Sequence, residues 1–311
     1  MSKTIVFYHS ADFDGWSSGA IVLKKFPNAK AVPINYPILD QKEKLAKVLS
    51  IIENGDSVYV VDFSFSPDTF KEIKLKAKEL IWIDHHVSAI NHCETVEFFT
   101  DGLLSTEYAA CELTWLYMME NYREVENYSL EYYDSLPIPY SIRLLGRYDL
   151  WKHDYDLNIV PFQMGMKSFF SLATDVKWSK IFEQNEEFTK YVIDRGQIIS
   201  EYLENNDFKI AKSYAFEAEI EGHKVVALNM RSGGSSIFKN IYQPQIHAFC
   251  VSFLFLPTQK WVVAMYSENN DAVDLSKIAE KYGGGGHKNA AAFTIDDAFK
   301  VIKKIQTINR Y

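Results

Sequence analysis

Four short apolar runs rich in β-branched residues punctuate the first third of the chain: Ile5 to Tyr8, Ala31 to Ile34, Val58 to Val61 and Leu80 to Ile83. Helical patterns lie between them at Ser17 to Phe26, Gln41 to Ile52 and Pro67 to Ala77. Strand and helix in alternation imply a parallel sheet wound by right-handed crossovers. In such a sheet, ligand-binding residues collect at the carboxyl ends of the strands.

From Thr106 to about Ser171 the pattern turns mainly helical, and Glu186 to Leu203 reads as one long amphipathic helix, followed by a turn signal at Asn205 and Asn206. Beyond it, Phe208 to Glu221, Lys224 to Asn229, His247 to Leu256 and Trp261 to Tyr266 look like strands, with helices at Ser236 to Tyr242, Leu275 to Tyr282 and Asp297 to Ile305. The expected fold class is α/β. A parallel-sheet domain with a helical extension covers 1–185, a connecting helix 186–204, and a smaller mixed α+β domain 205–311. A chain of 311 residues is long enough for two such cores.

The formal charge of −8 argues against a grip on long nucleic acid, whose binding domains usually have a pI above about 9. No apolar run approaches the roughly 18 residues needed to span a bilayer, since Ala248 to Leu256 is interrupted by Ser252 and stopped by Pro257. The N-terminus passes from Lys3 directly into Ile5, Val6 and Phe7, so a soluble cytoplasmic protein without a membrane partner is expected. Cys93, Cys111 and Cys250 are too few and too scattered for a disulfide framework or a CxxC clip, and are expected to be reduced and buried.

Acidic and imidazole groups cluster after the predicted strands. His9, Asp12 and Asp14 follow the first, in YHSADFDG; the run does not meet the calcium-loop pattern, because Ser10 and Lys24 stand where further oxygen ligands would be required. Asp62 follows Val58 to Val61, where a carboxylate costs desolvation unless it is capped, paired or metal-bound. Helix capping near Pro67 falls more naturally to Ser66 or Asp68. Asp84, His85 and His86 follow Leu80 to Ile83. Asp149 closes the helical run from Ser141, where the ordinary alternative is a surface ion pair with Arg147 or Lys152. Carboxylate and imidazole without thiolate suit Mn²⁺ or Mg²⁺ better than structural zinc. A bridging Asp62 would let two such ions act together on a phosphoryl group.

Gly283 to Gly286, with His287 and Lys288, could be a flexible linker, but the run lies inside the second domain. Glycines allow backbone N–H groups to approach a phosphate, although the run lacks both the P-loop ending and the dinucleotide fingerprint. Residues 276–311 carry seven Lys or Arg against three Asp or Glu. A solvated helix face accounts for Lys300, Lys303 and Lys304, and Lys288 is the better ligand candidate. Aromatic residues are plentiful, but no base-stacking platform can be picked out, because most will be core.

In order, YHSADFDG, VVDFS, IDHH, RYDLW and YGGGGHKNAAAF resemble the DHH/DHHA1 phosphoesterase superfamily over nearly the whole chain, most closely its oligoribonuclease B-like, or cAMP/cGMP phosphodiesterase-like, branch. The resemblance implies an N-terminal DHH domain, a C-terminal DHHA1 domain and a two-ion site, usually Mn²⁺ with Mg²⁺ as the alternative, in the cleft between them. His9, Asp12 and Asp62 would bind one ion, and Asp14, Asp62, His85 and Asp149 the other. Asp84 would orient a ligating imidazole, and His86 would face the scissile phosphate. Gly284, Gly285, Gly286 and His287 would hold a terminal phosphate or base. Two positions depart from the family pattern: Tyr266 and Ser267 replace an Arg-Ser pair, and Ala292 replaces a glycine. Arg231 is a candidate substitute for the missing arginine clamp.

The implied activity is metal-dependent hydrolysis of short oligoribonucleotides or of (cyclic) dinucleotide-type phosphodiesters to nucleoside monophosphates. The expected partner is a short oligonucleotide or small nucleotide, with a homodimer as the candidate assembly. The alternatives are a 3′-phosphoadenosine 5′-phosphate phosphatase, a pyrophosphate or polyphosphate hydrolase and, from another class, a non-catalytic nucleotide-sensing module.

Overall fold

The computed structural model describes residues 2–38, 41–96, 98, 100–120, 129–169, 172–230, 235–267 and 273–307. It divides into two compact units, Met1–Ile199 and Ser200–Tyr311. Arg231, the candidate clamp, lies outside the described residues.

The first unit opens with β1 (Thr4–His9), α1 (Phe13–Lys25), β2 (Lys30–Ile34), α2 (Lys42–Leu49), β3 (Ser57–Val61), α3 (Pro67–Lys76), β4 (Glu79–Asp84), α4 (Val87–Thr95) and β5 (Asp101–Leu104). All five strands are parallel, in the order β2-β1-β3-β4-β5. The apolar runs of β1, β3 and β4 are almost wholly buried, as expected of strands covered on both faces. The strand order reverses direction between β1 and β3. A doubly wound sheet opens its ligand crevice at such a switch point, outside the carboxyl ends of the strands. β5 and α4 add to the elements expected from sequence, β5 being a four-residue strand without a long apolar run.

The helical part comprises α5 (Ala110–Met118), α6 (Leu130–Ser135), α7 (Tyr140–Asp149), α8 (Ile159–Met166) and α9 (Trp178–Phe182), followed by α10 (Glu186–Tyr214). The apolar faces of α1, α5 and α7 share one core with Val6, Tyr8, Ile81 and Ile83. Ile5, Phe7, Val60, Phe63, Phe70 and Trp82 form the core on the opposite face of the sheet. α10 runs past the expected end at 204. Asn205 does not stop it, because its side-chain amide donates back to the Glu201 carbonyl at 2.9 Å, one turn earlier. The expected strand from Phe208 therefore begins only at Phe216.

The second unit contains β6 (Phe216–Ile220), β7 (His223–Leu228), β8 (Phe249–Phe255), β9 (Trp261–Tyr266), α11 (Leu275–Lys281), β10 (Gly285–His287), β11 (Ala290–Ile295) and β12 (Lys303–Thr307). They form a mixed sheet in the order β10-β11-β9-β8-β7-β6-β12, in which β7 and β8 are parallel and the other neighbours antiparallel. Two expected helices are corrected. Ser236–Phe238 is a single 3-10 turn. Asp297 to Ile305 divides into a 3-10 turn capped by Asp297 and edge strand β12, because Ala298, Val301 and Ile302 must reach the core together. Lys303 and Lys304 thus sit on an exposed sheet edge, where lysines discourage further strand pairing. Among the described residues no helix is long and apolar enough to cross a membrane.

Candidate active site

The ends of β1, β3 and β4 converge with the end of α7. After β1, Asp12 adopts an extended backbone and caps α1, its Oδ1 accepting from the Gly15 N–H at 3.0 Å. Its Oδ2 is left 3.2 Å from His9 Nδ1. Gly15 is required by close approach: a Cβ there would lie 2.1 Å from the His9 carbonyl oxygen. Asp14 reaches the N-terminus of α5. Its two oxygens accept from the Cys111 N–H at 2.7 Å and the Ala110 N–H at 3.0 Å, a favourable place for a carboxylate.

Asp62 follows β3 with φ +52, a left-handed conformation uncommon outside glycine, and is 2% exposed. Its Oδ2 lies 3.5 Å from His9 Nδ1 and its Oδ1 3.3 Å from His85 Nε2, so one carboxylate joins two imidazoles. His85 Nε2 is also 3.4 Å from Asp14 Oδ2 and 3.4 Å from Asp149 Oδ2. A single ring nitrogen therefore faces three carboxylates from three different elements. The surface ion pair considered for Asp149 is not formed: Arg147 is buried against Glu112, and Lys152 pairs with Glu107 at 3.7 Å. The α3 cap is Ser66, whose hydroxyl accepts from the Thr69 N–H, so Asp62 is not needed there.

Asp84, fully buried at the tip of β4, accepts from the backbone N–H of His85 at 2.8 Å and pairs with His86 Nδ1 at 2.7 Å, while Ser64 donates to its second oxygen. The imidazole that Asp84 orients directly is thus His86, and its hold on His85 is through the main chain. With Nδ1 engaged, His86 keeps Nε2 for another partner.

Crowding of like charges in a buried site sets the protonation states. Burial, followed by the Asp62 charge, pushes Asp14 up to about 7; burial, followed by the Asp14 charge, does the same to Asp149. Burial also raises Asp62. Burial opposes the charged forms of His9 and His85, but surrounding carboxylates overcome it and raise both to about 10. Burial likewise opposes protonation of His86, and Asp84 outweighs it, raising His86 above its ordinary value. Asp12 and Asp84 lie below the usual carboxylate range because their hydrogen-bond donors outweigh burial.

Such a cluster is uncomfortable without cations. Asp62 Oδ1 and His9 Nδ1 are buried without a hydrogen bond of good geometry. Ligand atoms of His9, Asp12 and Asp62 lie within 4.8 Å of one another, as do those of Asp14, His85 and Asp149, and those of Asp62, Asp84, His85 and His86. Oxygen and imidazole donors without thiolate fit a hard or borderline divalent ion. The residues present fit such an ion, and the three cysteines are buried thiols outside any disulfide.

Several supporting residues escaped sequence reasoning. Glu112 and Arg147, both fully buried, pair at 2.6 Å between α5 and α7, and Tyr133 donates to the same carboxylate. Glu112 also accepts from the Ala109 N–H at 3.0 Å, which shapes the helix start that holds Asp14. The visible signal was a glutamate inside the apolar run ACELTWL. Asn35 Oδ1 lies 3.4 Å from His9 Nε2, which turns Nδ1 toward the acids. Tyr36 stacks on Phe63 and edges both His9 and His86.

The glycine run is remote in sequence and folds differently from a phosphate loop. The N–H groups of Gly283 and Gly284 donate to Glu280 and Ala279, closing α11 at its C-terminus. A Cβ on Gly284 would lie 2.2 Å from the Ala292 carbonyl oxygen, and Gly286 has φ +143, so hairpin geometry already requires both glycines. Gly285 to His287 form edge strand β10.

Residues 3–137 match the DHH family, N-terminal domain. Over 315 residues the chain is 22% identical to oligoribonuclease NrnB of Bacillus subtilis (strain 168), covering 93% of this chain and 72% of the relative. It is 23% identical over 321 residues to an uncharacterized protein of Acanthamoeba polyphaga mimivirus, covering 96% and 68%. The solved structure of the pGpG-specific phosphodiesterase PggH from Vibrio cholerae aligns with 96% of this chain and 94% of its own at a TM-score of 0.45 and 14% identity. Residues 3–137 are thus a DHH family N-terminal domain, and the chain is a hydrolase acting on phosphoester bonds.

Proposed function

We propose that the chain is a divalent-metal-dependent phosphodiesterase that cleaves short oligoribonucleotides or dinucleotide-type phosphodiesters to nucleoside monophosphates. The observation that carries this reading is His85 Nε2 facing Asp14, Asp62 and Asp149, with the other oxygen of Asp62 directed at His9. His9, Asp12 and Asp62 would hold one ion, and Asp14, Asp62, His85 and Asp149 a second, Mn²⁺ or Mg²⁺. Such ions, when bound, would supply positive charge to the developing phosphoryl group and acidify a nearby water.

The protein's own groups do the rest. Asp62 keeps both halves of the cluster in register through its two oxygens. The Ala110 and Cys111 N–H groups orient Asp14. His86, kept protonated by Asp84, donates from Nε2 to the departing ribose oxygen as the phosphorus–oxygen bond to that ribose breaks and the bond to water oxygen forms. Gly285, Gly286, His287 and Lys288 are proposed to contact the substrate's terminal phosphate or base. The homology to oligoribonuclease NrnB supports a nucleotide substrate.

The test is a product analysis of the Mn²⁺-loaded chain with a ribodinucleotide, a ribo-five-mer, 3′-phosphoadenosine 5′-phosphate, cyclic nucleotides and pyrophosphate. Mononucleotides released from the dinucleotide and five-mer are expected. Exclusive release of inorganic phosphate from 3′-phosphoadenosine 5′-phosphate or pyrophosphate would overturn the reading.

A further inference from the structure

α7 ends in a double-looped cap. The Lys152 N–H donates to the Arg147 carbonyl at 2.9 Å and the Trp151 N–H to the Tyr148 carbonyl at 3.1 Å, the paired bonds of a Schellman motif. The residue at the turn of this motif must be left-handed and is usually glycine, because a Cβ is disfavoured there. Here it is Trp151, at φ +56, and its side chain is not spent on the core: the residue is 82% exposed. A bulky residue in a strained backbone, holding an indole in water, is accounted for by neither folding nor packing. Such outliers concentrate at functional sites.

The indole does not stand alone. The His153 ring lies 5.5 Å from that of Trp151 with 28° between planes, and 4.8 Å from that of Tyr148 with 24°. His153 Nε2 is 3.2 Å from the Tyr148 carbonyl oxygen, and Tyr148 packs half-buried against the core of the first unit. Three near-parallel rings are thus held in place before any ligand arrives. Asp149, whose carboxylate touches His85, lies between Tyr148 and Trp151 in the same helix end. The cap that delivers a carboxylate to the cluster thus also carries the exposed aromatic stack.

We propose that Trp151, together with His153 and Tyr148, is a stacking platform for the base of a nucleotide whose phosphate is cleaved at the Asp14, Asp62, His85 and Asp149 cluster, an inference that rests on the phosphodiesterase activity proposed above. A π-face accepts any base, so the platform would favour a nucleotide over a bare phosphoester without choosing among base sequences. Lys152, between Trp151 and His153 in sequence, is ion-paired with Glu107, so the recognition is aromatic rather than ionic.

Trp151→Gly suits the left-handed backbone and is expected to leave the thermal midpoint equal or higher, and Trp151→Tyr keeps a ring. With the Mn²⁺-loaded full chain, Trp151→Gly should raise KM for an adenosine ribodinucleotide about tenfold, the scale of one lost base–aromatic stack. The ratio of kcat/KM for that dinucleotide to kcat/KM for an abasic analogue of the same backbone should fall by the same factor, and Trp151→Tyr should restore most of it. Calorimetric titration with AMP should show a matching loss of affinity. An unchanged ratio with unchanged AMP affinity would overturn the platform. So would loss of a dimer in sedimentation of Trp151→Gly with nucleotide affinity retained, since the indole would then cover a second copy of the chain. If the wild type cleaves no dinucleotide, the activity reading fails, and the AMP titration still decides the platform.

Discussion

Arg147 on α7 holds Glu112 on α5 at 2.6 Å with neither side chain exposed to solvent. Glu112 shapes the helix start whose N–H groups grip Asp14, and Arg147 lies two residues before Asp149, so the pair ties together the two helices that flank His85. Removing one partner of a buried pair leaves the other charge uncompensated, at a cost of about 3–5 kcal/mol. Glu112→Ala is expected to lose that much stability in urea unfolding. Gly146→Ala should be damaging by a different route, since its new Cβ would lie 2.4 Å from the Glu112 carboxyl carbon and push it from Arg147.

Asp62→Asn replaces a charged double acceptor with a neutral group while keeping its shape. Activity on a ribodinucleotide should fall by roughly 10²-fold or more, the scale of losing a key electrostatic contact at a reacting centre. Calorimetric titration with Mn²⁺ should show both binding events weakened, because one carboxylate serves both halves of the cluster. Wild-type turnover at saturating Mn²⁺ would contradict the bridging role.

Asp84 acts through His86. Asp84→Asn removes the charge that raises the His86 pKa, so the alkaline limb of the kcat profile should move to lower pH. His86→Ala should lower kcat by about 10²- to 10⁴-fold, the usual contribution of a positioned general acid. It should spare a substrate whose leaving group needs no proton, such as a nitrophenyl ester. Equal losses on both substrates would rule out proton donation by His86.

The pH dependence of the metal-free protein has a definite sign. Asp14 and Asp149, raised to about 7, bind protons more tightly in the folded state, so their contribution declines as pH climbs from about 4 through 7. His9 and His85, raised to about 10, contribute fully below about 6.5 and lose that contribution as pH rises through 10. The metal-free thermal midpoint should therefore fall between pH 6 and 9. Metal binding requires deprotonated ligands, so the gain on adding Mn²⁺ should grow over the same interval. Differential scanning calorimetry at fixed ionic strength measures both, and a larger Mn²⁺ gain at pH 6 than at pH 9 would refute the ligand set.

Much of the first unit could be read directly, because a parallel sheet buried on both faces writes its strands as short continuous apolar runs. The same rule placed His9, Asp62 and Asp84 at strand ends. The four residues of β5, Asp101 to Leu104, carry too little apolar signal to mark a strand. The turn preference of Asn205 alone points to a helix end near residue 204, whereas in context its side chain serves the helix. The second unit was harder: β12 and the glycine hairpin are made by pairing with distant strands, and no local propensity encodes that.

Sequence alone determined the alternation of strands and helices, and the chemistry of the groups at their ends. It could not say which groups meet. That Asp149 belongs with His85, and not with Arg147 or Lys152, was decided when a buried glutamate claimed Arg147 and α7 was packed against α5. That Trp151, among many aromatic residues, stays in water was decided by the left-handed cap on which it sits. Both outcomes depend on long-range packing, which sets the cost of burying each charge and ring, and neighbours in sequence do not carry that information.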